Sequence, residues 1–255
     1  MTLSLIIMNN MKLVEYIDVI TKFMVDYLND SHQDGFVLGL SGGIDSSCVA
    51  ALAKKAVGKD KLHCIMMPIN SLEDDLKDAI KLAEDLDLNY SVIDGSKAFN
   101  ELVKEFEGLG IELDASTKGN LKARIRMSIL YAYGQKNRCL VLGTDNLDES
   151  YVGYFTKYGD GGVDLLPICR LTKEEVREVA SILGVRKELV ERVPSAGLYE
   201  GQTDEKEMGI LYKDLDAYLL GKEVDPKTKE RIEYLHRISE HKRVLIPRPE
   251  EFKRD

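Results

Sequence analysis

The sequence has few cysteines, and no two of them are spaced as a metal-binding or redox pair. The four are Cys48, Cys64, Cys139 and Cys169, and no C-x-x-C spacing occurs among them. A zinc ribbon or a thioredoxin-like motif therefore has little support. Cys64 and Cys139 lie inside apolar runs, which predicts buried free thiols and a reducing, cytoplasmic location.

Long apolar runs and an excess of basic charge are also missing. The apolar run at residues 3–8 is too short for the core of a signal peptide and has no basic flank. No stretch approaches the length of a membrane-spanning helix, so we expect no membrane partner. The net charge of −9 argues against an open nucleic-acid-binding face, although it still permits a local basic pocket for phosphates.

In place of these features the chain has the composition of an ordinary globular protein. Its 255 residues, of which 44% are hydrophobic, are enough to build a sizeable core. We predict a single domain over residues 1–255, and two small domains would also fit this length.

Short apolar segments alternate with segments of helical periodicity along the chain. The predicted strands are residues 36–40, 62–68, 90–93 and 139–142. The predicted helices are residues 11–28, 45–57, 71–88, 96–106, 116–135, 172–183, 206–220 and 225–243. Thr172 and Glu175 predict a capping box at the start of one of them. The alternation favours an α/β fold, a doubly wound parallel sheet flanked by helices.

Three motif-like stretches follow the ends of predicted strands, at residues 41–47, 68–71 and 143–149. Ligands of doubly wound sheets bind beyond the carboxyl ends of the strands. We therefore expect these three stretches to line one crevice.

The first stretch belongs to the segment GLSGGIDSS, residues 39–47. Gly42 and Gly43 permit a tight turn and a close approach of the backbone to a ligand. The following helix directs its unpaired N–H groups and the positive end of its dipole at the loop, and three serines add hydroxyl donors. This combination suits phosphate. Neither the Walker A spacing nor G-x-G-x-x-G is present.

Asp45 makes the loop more specific, because a carboxylate would repel a bare phosphate. A carboxylate beside phosphates is typical of a site where Mg²⁺ bridges the two. The alternative is an ordinary glycine turn in which Asp45 is one more acid at a helix N-terminus.

A second informative segment is GTDNLDESYVGYFTKYGDGGVDLLP, residues 143–167. It is longer than a packing connection needs, and long ordered loops tend to be functional. It offers several carboxylates, one lysine and several aromatic rings, which together suit a charged ligand that contains a ring. The alternative is a solvated surface loop.

The segment SGGIDSS resembles the pyrophosphate loop of the N-type ATP pyrophosphatases, which have a Rossmann-like sheet of the adenine nucleotide alpha hydrolase type. These enzymes split ATP between its α and β phosphates and transfer AMP to a substrate oxygen. Residues 143–167, together with KGNLKARIRM, PSAGLYEGQTDE and HKR further along, resemble the ammonia-dependent NAD synthetases. The resemblance extends from about residue 12 to residue 249. One departure is Leu147-Asp148, where many relatives carry a basic residue followed by Ser or Thr.

The resemblance implies roles for individual residues, and it implies ATP, deamido-NAD and ammonia as substrates. Mg²⁺ would be held by Asp45 and Glu149. The implied ATP contacts are Gly39, Leu40, Ser41, Gly42, Gly43, Ile44, Asp45, Ser46, Thr144, Lys173 and Ser195. The implied deamido-NAD contacts are Arg124, Lys157, Asp164, His241 and Lys242. Asp45, Lys173 and Asp160 are the expected catalytic residues, Asp160 as a candidate base toward ammonium.

Other properties follow from the same resemblance. The chain has no room for the glutaminase domain of glutamine-using relatives, so ammonia is the expected nitrogen donor. A homodimer is expected, with the N-terminal helix and residues 118–135 as candidate interface. Residues 197–203 are expected to form a lid over ATP that excludes water, although a plain connector is the alternative.

Two other functions compete with this interpretation. Another ATP pyrophosphatase, such as a tRNA-modifying or GMP-forming one, would share the loop, but the acidic charge and the lack of C-x-x-C disfavour a tRNA enzyme. A nucleotide-binding sensor would not need Glu149, Lys173 and residues 194–205 together.

Overall fold

The structure is a computed structural model that describes residues 3–71, 73–191, 203–252 and 254. Four parallel strands form one sheet, in the order β3-β2-β1-β4. The strands are β1 (Gly35–Gly39), β2 (Leu62–Met66), β3 (Asn89–Val92) and β4 (Cys139–Leu142). This confirms the predicted parallel α/β fold. A single parallel bridge between Leu142 and Leu165 extends the sheet beyond β4.

Helices follow or separate the strands, as the apolar pattern predicts. They are α1 (Leu3–Asp30), α2 (Ile44–Val57), α3 (Glu73–Asp85), α4 (Ser96–Gly108), α5 (Ala115–Asn137), α6 (Leu147–Val152), α7 (Lys173–Ile182), α8 (Lys187–Val190), α9 (Asp204–Met208), α10 (Tyr212–Leu219), α11 (Pro226–Ile238) and α12 (Glu240–Arg243). Within the described ranges, no helix has the length and apolarity needed to cross a membrane.

Successive residues of a strand point to opposite faces of the sheet, and helices cover both of these faces. On β1, Phe36 and Leu38 belong to the main core with α1, α2 and α7, whereas Val37 packs in the second core with α5. All three side chains are fully buried. The sheet is therefore a rigid support whose carboxyl edge remains available for a site.

A satellite core lies beside the main one and is built by α6, α9, α10 and α11. Its members are Val152, Met208, Ile210, Tyr212, Leu215 and Ile232, each nearly inaccessible to solvent. Through this satellite core, α9, α10 and α11 pack against α6, the helix that follows the loop after β4.

Two predicted helices are interrupted in the structure. The segment predicted at residues 206–220 is α9 followed by α10, because Gly209 takes a left-handed conformation with φ of 69° and ends α9. The segment predicted at residues 225–243 breaks at Ser239, whose hydroxyl donates to carbonyl oxygens, including that of Val152. The capping box at Thr172 and Glu175 is confirmed.

Gly134 lies where α5 packs closely against the sheet, so a substitution there tests this packing. A Cβ at this position would lie 2.7 Å from the backbone oxygen of Cys139. We expect Gly134→Ala to lower the free energy of unfolding by about 1–3 kcal/mol, because the overpacking outweighs the gain in helix propensity. Gly108→Ala is the matched control, since its Cβ would meet nothing within 4 Å. Urea unfolding measures the stability of both variants. A Gly134→Ala protein as stable as the Gly108→Ala control would contradict the packing argument.

Candidate active site

The glycine- and serine-rich loop joins β1 to α2 at the carboxyl edge of the sheet. Gly42 has a φ of 80°, and a Cβ there would come within 3.3 Å of the backbone of Ala79. The hydroxyls of Ser46 and Ser47 donate to the carbonyl oxygen of Gly43, at 3.0 and 2.7 Å. The loop is therefore a compact turn braced by its own serines, with the start of α2 directed at the space above it.

A buried cluster of three charged side chains lies beside this loop. The ammonium of Lys173 is 2.7 Å from Asp45 Oδ2 and 3.0 Å from Glu149 Oε1. The Lys173 side chain is only 1% exposed. Burial lowers the pKa of Lys173, but the two carboxylates outweigh this effect and hold it above its usual value, so the ammonium stays charged.

Three helix starts bring this cluster together. Asp45 is the second residue of α2, Glu149 the third of α6, and Lys173 the first of α7. Asn146 connects the two carboxylates. Its Nδ2 donates to Asp45 Oδ1 at 2.9 Å, and its Oδ1 accepts from the backbone N–H of Glu149 at 3.0 Å. Asn146 is fully buried and was not assigned a role from the sequence, although the N-x-x-E spacing of its capping box was a local signal for it.

The geometry of the two carboxylates suits a cation. Asp45 and Glu149 each have one oxygen within 3.0 Å of the Lys173 ammonium, so the two carboxylates lie close together. Burial raises the pKa of Glu149, Lys173 lowers it and Asp45 raises it again, for a value of about 7. Among the described residues, no group of three or more acidic, histidine or cysteine side chains is arranged to hold a metal alone. Two carboxylates completed by phosphate oxygens and water are a usual environment for Mg²⁺, so the residues fit this ion.

A second acid pair, Asp148 and Asp216, lies behind the cluster at the start of α7. Asp148 is fully buried, and its Oδ2 accepts from the backbone N–H of Lys173 at 2.9 Å. Asp216 Oδ2 accepts from the next N–H, that of Glu174, at 3.2 Å. Burial first, and then the hydrogen bond and charge of Asp216, raise the pKa of Asp148 to about 9. Burial and the neighbouring acid therefore favour the protonated form of Asp148, and the two acids together cap the start of α7.

The predicted deamido-NAD residues fall into two groups. Lys157, Arg124 and His241 come together, because Lys157 Nζ donates to the carbonyl of His241 at 2.5 Å and Arg124 Nε to that of Lys157 at 3.4 Å. Lys242 instead donates to the carbonyls of Gly153 and Phe155, at 2.7 and 2.6 Å.

Asp164 also has partners within the protein. It accepts from the hydroxyl of Tyr131 at 3.1 Å and from the backbone N–H of Val141 at 2.7 Å. His241 and Lys242 line a cavity of about 280 Å³ between α6, α9 and the end of α11. Sites for drug-sized ligands are usually larger, so the cavity accommodates only part of a dinucleotide.

The remaining predicted site residues to be placed are Thr144, Asp160 and Ser195. Thr144 is half-buried directly after β4. Asp160 is exposed, and its Oδ1 accepts from the N–H of Thr156 at 3.0 Å. Its neighbour Asp145 is buried, and this burial, followed by the charge of Asp160, raises the pKa of Asp145 well above its usual value. Ser195 and residues 197–202 of the predicted lid lie outside the described residues.

Fold and site together define the class: a Rossmann-like α/β protein with a glycine- and serine-rich loop after its first strand and two carboxylates close together beside it. A profile of the NAD synthase family matches residues 16–246. The chain belongs to the NAD synthase family.

Individual relatives agree with this membership. An NH3-dependent NAD⁺ synthetase of Mesoplasma florum is 45% identical over 251 residues, 96% of this chain and all of the relative. Among solved structures, the NMN synthetase of Francisella tularensis superposes with a TM-score of 0.88 and 39% identity, covering 93% of this chain and 98% of that one. The NH3-dependent NAD synthetase of Campylobacter jejuni, in complex with nitrate, gives 0.79 and 29%, covering 93% and 99%.

The acid pair of Asp148 and Asp216 gives the protein a specific pH dependence. The pKa of Asp148 is about 9 in the folded protein and about 3.9 in an unfolded chain. Between these values the folded state keeps a proton that the unfolded state has lost. This contribution to stability is fully present below pH 4 and is lost as the pH rises toward 9, by at most about 1.4 kcal/mol per pH unit.

We therefore expect Asp148→Asn to flatten the decline in stability between pH 5.5 and 8.5, since an amide still bonds both partners without a proton. Urea unfolding at several pH values measures this, with Asp214→Asn, another acid of α10, as the control. Equal slopes for wild type and Asp148→Asn would show that Asp148 does not keep its proton in the folded state.

Proposed function

We propose that this protein is an ammonia-dependent NAD synthetase, which amidates deamido-NAD at the expense of ATP and releases AMP and pyrophosphate. The observation that carries the proposal is the convergence of Asp45, Glu149 and Lys173 beside the glycine-serine loop. The cluster supports the proposal because it supplies a fixed positive charge and two carboxylates, the groups that a Mg²⁺-bound triphosphate needs. Family membership and relatives named for this activity support the same conclusion.

The first step is an adenylation. A carboxylate oxygen of the nicotinate ring attacks the α phosphorus of ATP, and the bond from that phosphorus to the oxygen bridging to the β phosphorus breaks. Pyrophosphate leaves with the electron pair. The start of α2 and the Lys173 ammonium stabilise the charge that develops on the leaving group. Asp45 and Glu149 would hold Mg²⁺, which when bound neutralises phosphate charge.

The second step forms the amide. Ammonia attacks the carbonyl carbon of the acyl-adenylate, the carbon–oxygen bond to AMP breaks, and the nitrogen loses a proton. The sequence motif offers Asp160 as the base for this proton. Because water would compete with ammonia, the step depends on a site that is closed to water.

A second acceptor has its own supporting observation. The structure with a TM-score of 0.88 is named for NMN synthesis, which forms the same amide on a mononucleotide. We therefore keep nicotinate mononucleotide as the competing acceptor. The two acceptors share the reacting carboxylate and differ only in the adenylate half.

We also propose a cytoplasmic homodimer with one catalytic domain per chain. Four free cysteines suit a reducing compartment. One face of α1 exposes the large apolar side chains of Val19, Phe23 and Tyr27, each more than 40% accessible. An apolar stripe of this kind on a monomer is typical of an interface with a second copy.

The choice of acceptor predicts a specific pattern of AMP release. With ATP, Mg²⁺ and ammonium, we expect AMP and NAD to form in equal amounts from deamido-NAD, with at least tenfold lower kcat/KM for nicotinate mononucleotide. Coupled AMP detection and product chromatography measure both. A preference for the mononucleotide would replace the first acceptor by the second, and release from neither would reject the proposed function.

Asp45 predicts a loss of turnover without a loss of fold. In Asp45→Asn, the new NH₂ group must face one of two donors, Asn146 Nδ2 or the Lys173 ammonium. The substitution also removes one of the two carboxylates proposed to hold the metal. We expect kcat/KM for ATP to fall at least a hundredfold and the Mg²⁺ requirement to rise, while thermal unfolding stays cooperative at a lower midpoint because Lys173 loses one of its two carboxylate partners. Asp87→Asn, an exposed acid on the opposite edge of the sheet, is the control. Unchanged rates at limiting Mg²⁺ would reject the metal role.

A further inference from the structure

Tyr212 contacts the charged cluster although no sequence motif assigns it a role. It is the first residue of α10 and is 3% exposed. Its hydroxyl lies 3.1 Å from Glu149 Oε1 and 3.0 Å from Asp204 Oδ2. Its ring lies under the Lys173 ammonium, 4.7 Å from the ring centroid. One side chain therefore touches two of the three charged residues of the site.

The backbone around Tyr212 is held in place for these contacts. Gly209 ends α9 in a left-handed conformation, so α10 starts in a new direction. The N–H of Tyr212 then donates to Glu205 Oε1 at 2.9 Å. Both the main chain and the hydroxyl of Tyr212 are thus tied to the start of α9, one through Glu205 and the other through Asp204.

The hydroxyl is the donor in both contacts, because an ionised carboxylate only accepts. It has one proton, which can be donated to one of the two carboxylates at a time.

We propose that Tyr212 is a positioning residue of the nucleotide site, whose hydroxyl orients Glu149 for a metal ion and whose ring holds Lys173 in place. Hydrogen-bond partners behind a ligating carboxylate fix its orientation, and their loss usually weakens metal binding about 10- to 100-fold. A cation over an aromatic face is attracted by the ring, which keeps Lys173 at the cluster. This inference rests on the metal role of Glu149 in the proposed function.

The experiment uses the full chain and a probe that needs no acceptor. Tyr212→Phe removes the hydroxyl and keeps the ring. Mn²⁺ binding in the presence of α,β-methylene-ATP, followed by electron paramagnetic resonance, gives the metal affinity directly. We expect the Kd for Mn²⁺ to rise about tenfold in Tyr212→Phe. Tyr218→Phe is the matched control, because it removes a hydroxyl from the same helix that contacts the exposed Glu233 instead, and its Kd should stay within twofold of wild type.

Kinetics separate positioning from a purely structural effect. In Tyr212→Phe we expect the Mg²⁺ concentration for half-maximal rate to rise about tenfold, while kcat at saturating Mg²⁺ falls less than threefold. Tyr212→Leu also removes the ring, so a further increase in KM for ATP is expected. If this variant fails to fold, the phenylalanine variant still decides the question.

Three results would overturn the proposal. The first is a folded Tyr212→Phe protein whose Kd for Mn²⁺ lies within twofold of wild type. The second is an equal loss of rate at every Mg²⁺ concentration. The third is the absence of Mn²⁺ binding to the wild-type protein with the nucleotide analogue. The titration contains no acceptor, so it still tests Tyr212 if neither acceptor is amidated and the proposed function fails.

Discussion

The buried ammonium of Lys173 constrains the rest of the site. A charge with almost no exposure is tolerated only when opposite charges and hydrogen bonds surround it, and removing one partner of such a pair is strongly destabilising. Asp45 and Glu149 must therefore stay within contact of one atom, although they come from helices that follow different strands. The glycine-serine loop, the capping box of α6 and the start of α7 are the local structures that meet this requirement.

Helix dipoles explain why a further pair of acids is needed. Asp45 and Glu149 lie in the first turns of α2 and α6, where a negative charge is favoured. Lys173, as the first residue of α7, places a positive charge at a positive helix end. Asp148 and Asp216 offset this by accepting from the first two N–H groups of α7. The acid at position 148, where many relatives carry Ser or Thr, thus serves the same helix that presents Lys173.

The sequence predicted the sheet and most helices because apolar periodicity is a local property. The break between α9 and α10 was missed, since a glycine within a helical pattern is tolerated at a cost of about 1 kcal/mol and gives no sure sign of an end. Resemblance to the family brought Asp45, Glu149 and Lys173 together. It could not give the partnership of Asp148 with Asp216, or of Tyr212 with Glu149, because each joins residues far apart in the chain. A tyrosine at an apolar position also looks like ordinary core.

The position of Asp164 has a consequence for how the protein behaves at high concentration. Its carboxylate occupies the N–H of Val141, its own N–H donates to the Val141 carbonyl, and Leu165 accepts from Gly143. The outward N–H and carbonyl of Val141 are thus already used, and an exposed strand edge is a template for pairing with other chains. Asp164, which the family resemblance relates to ligand binding, therefore also covers part of this edge against pairing with another chain.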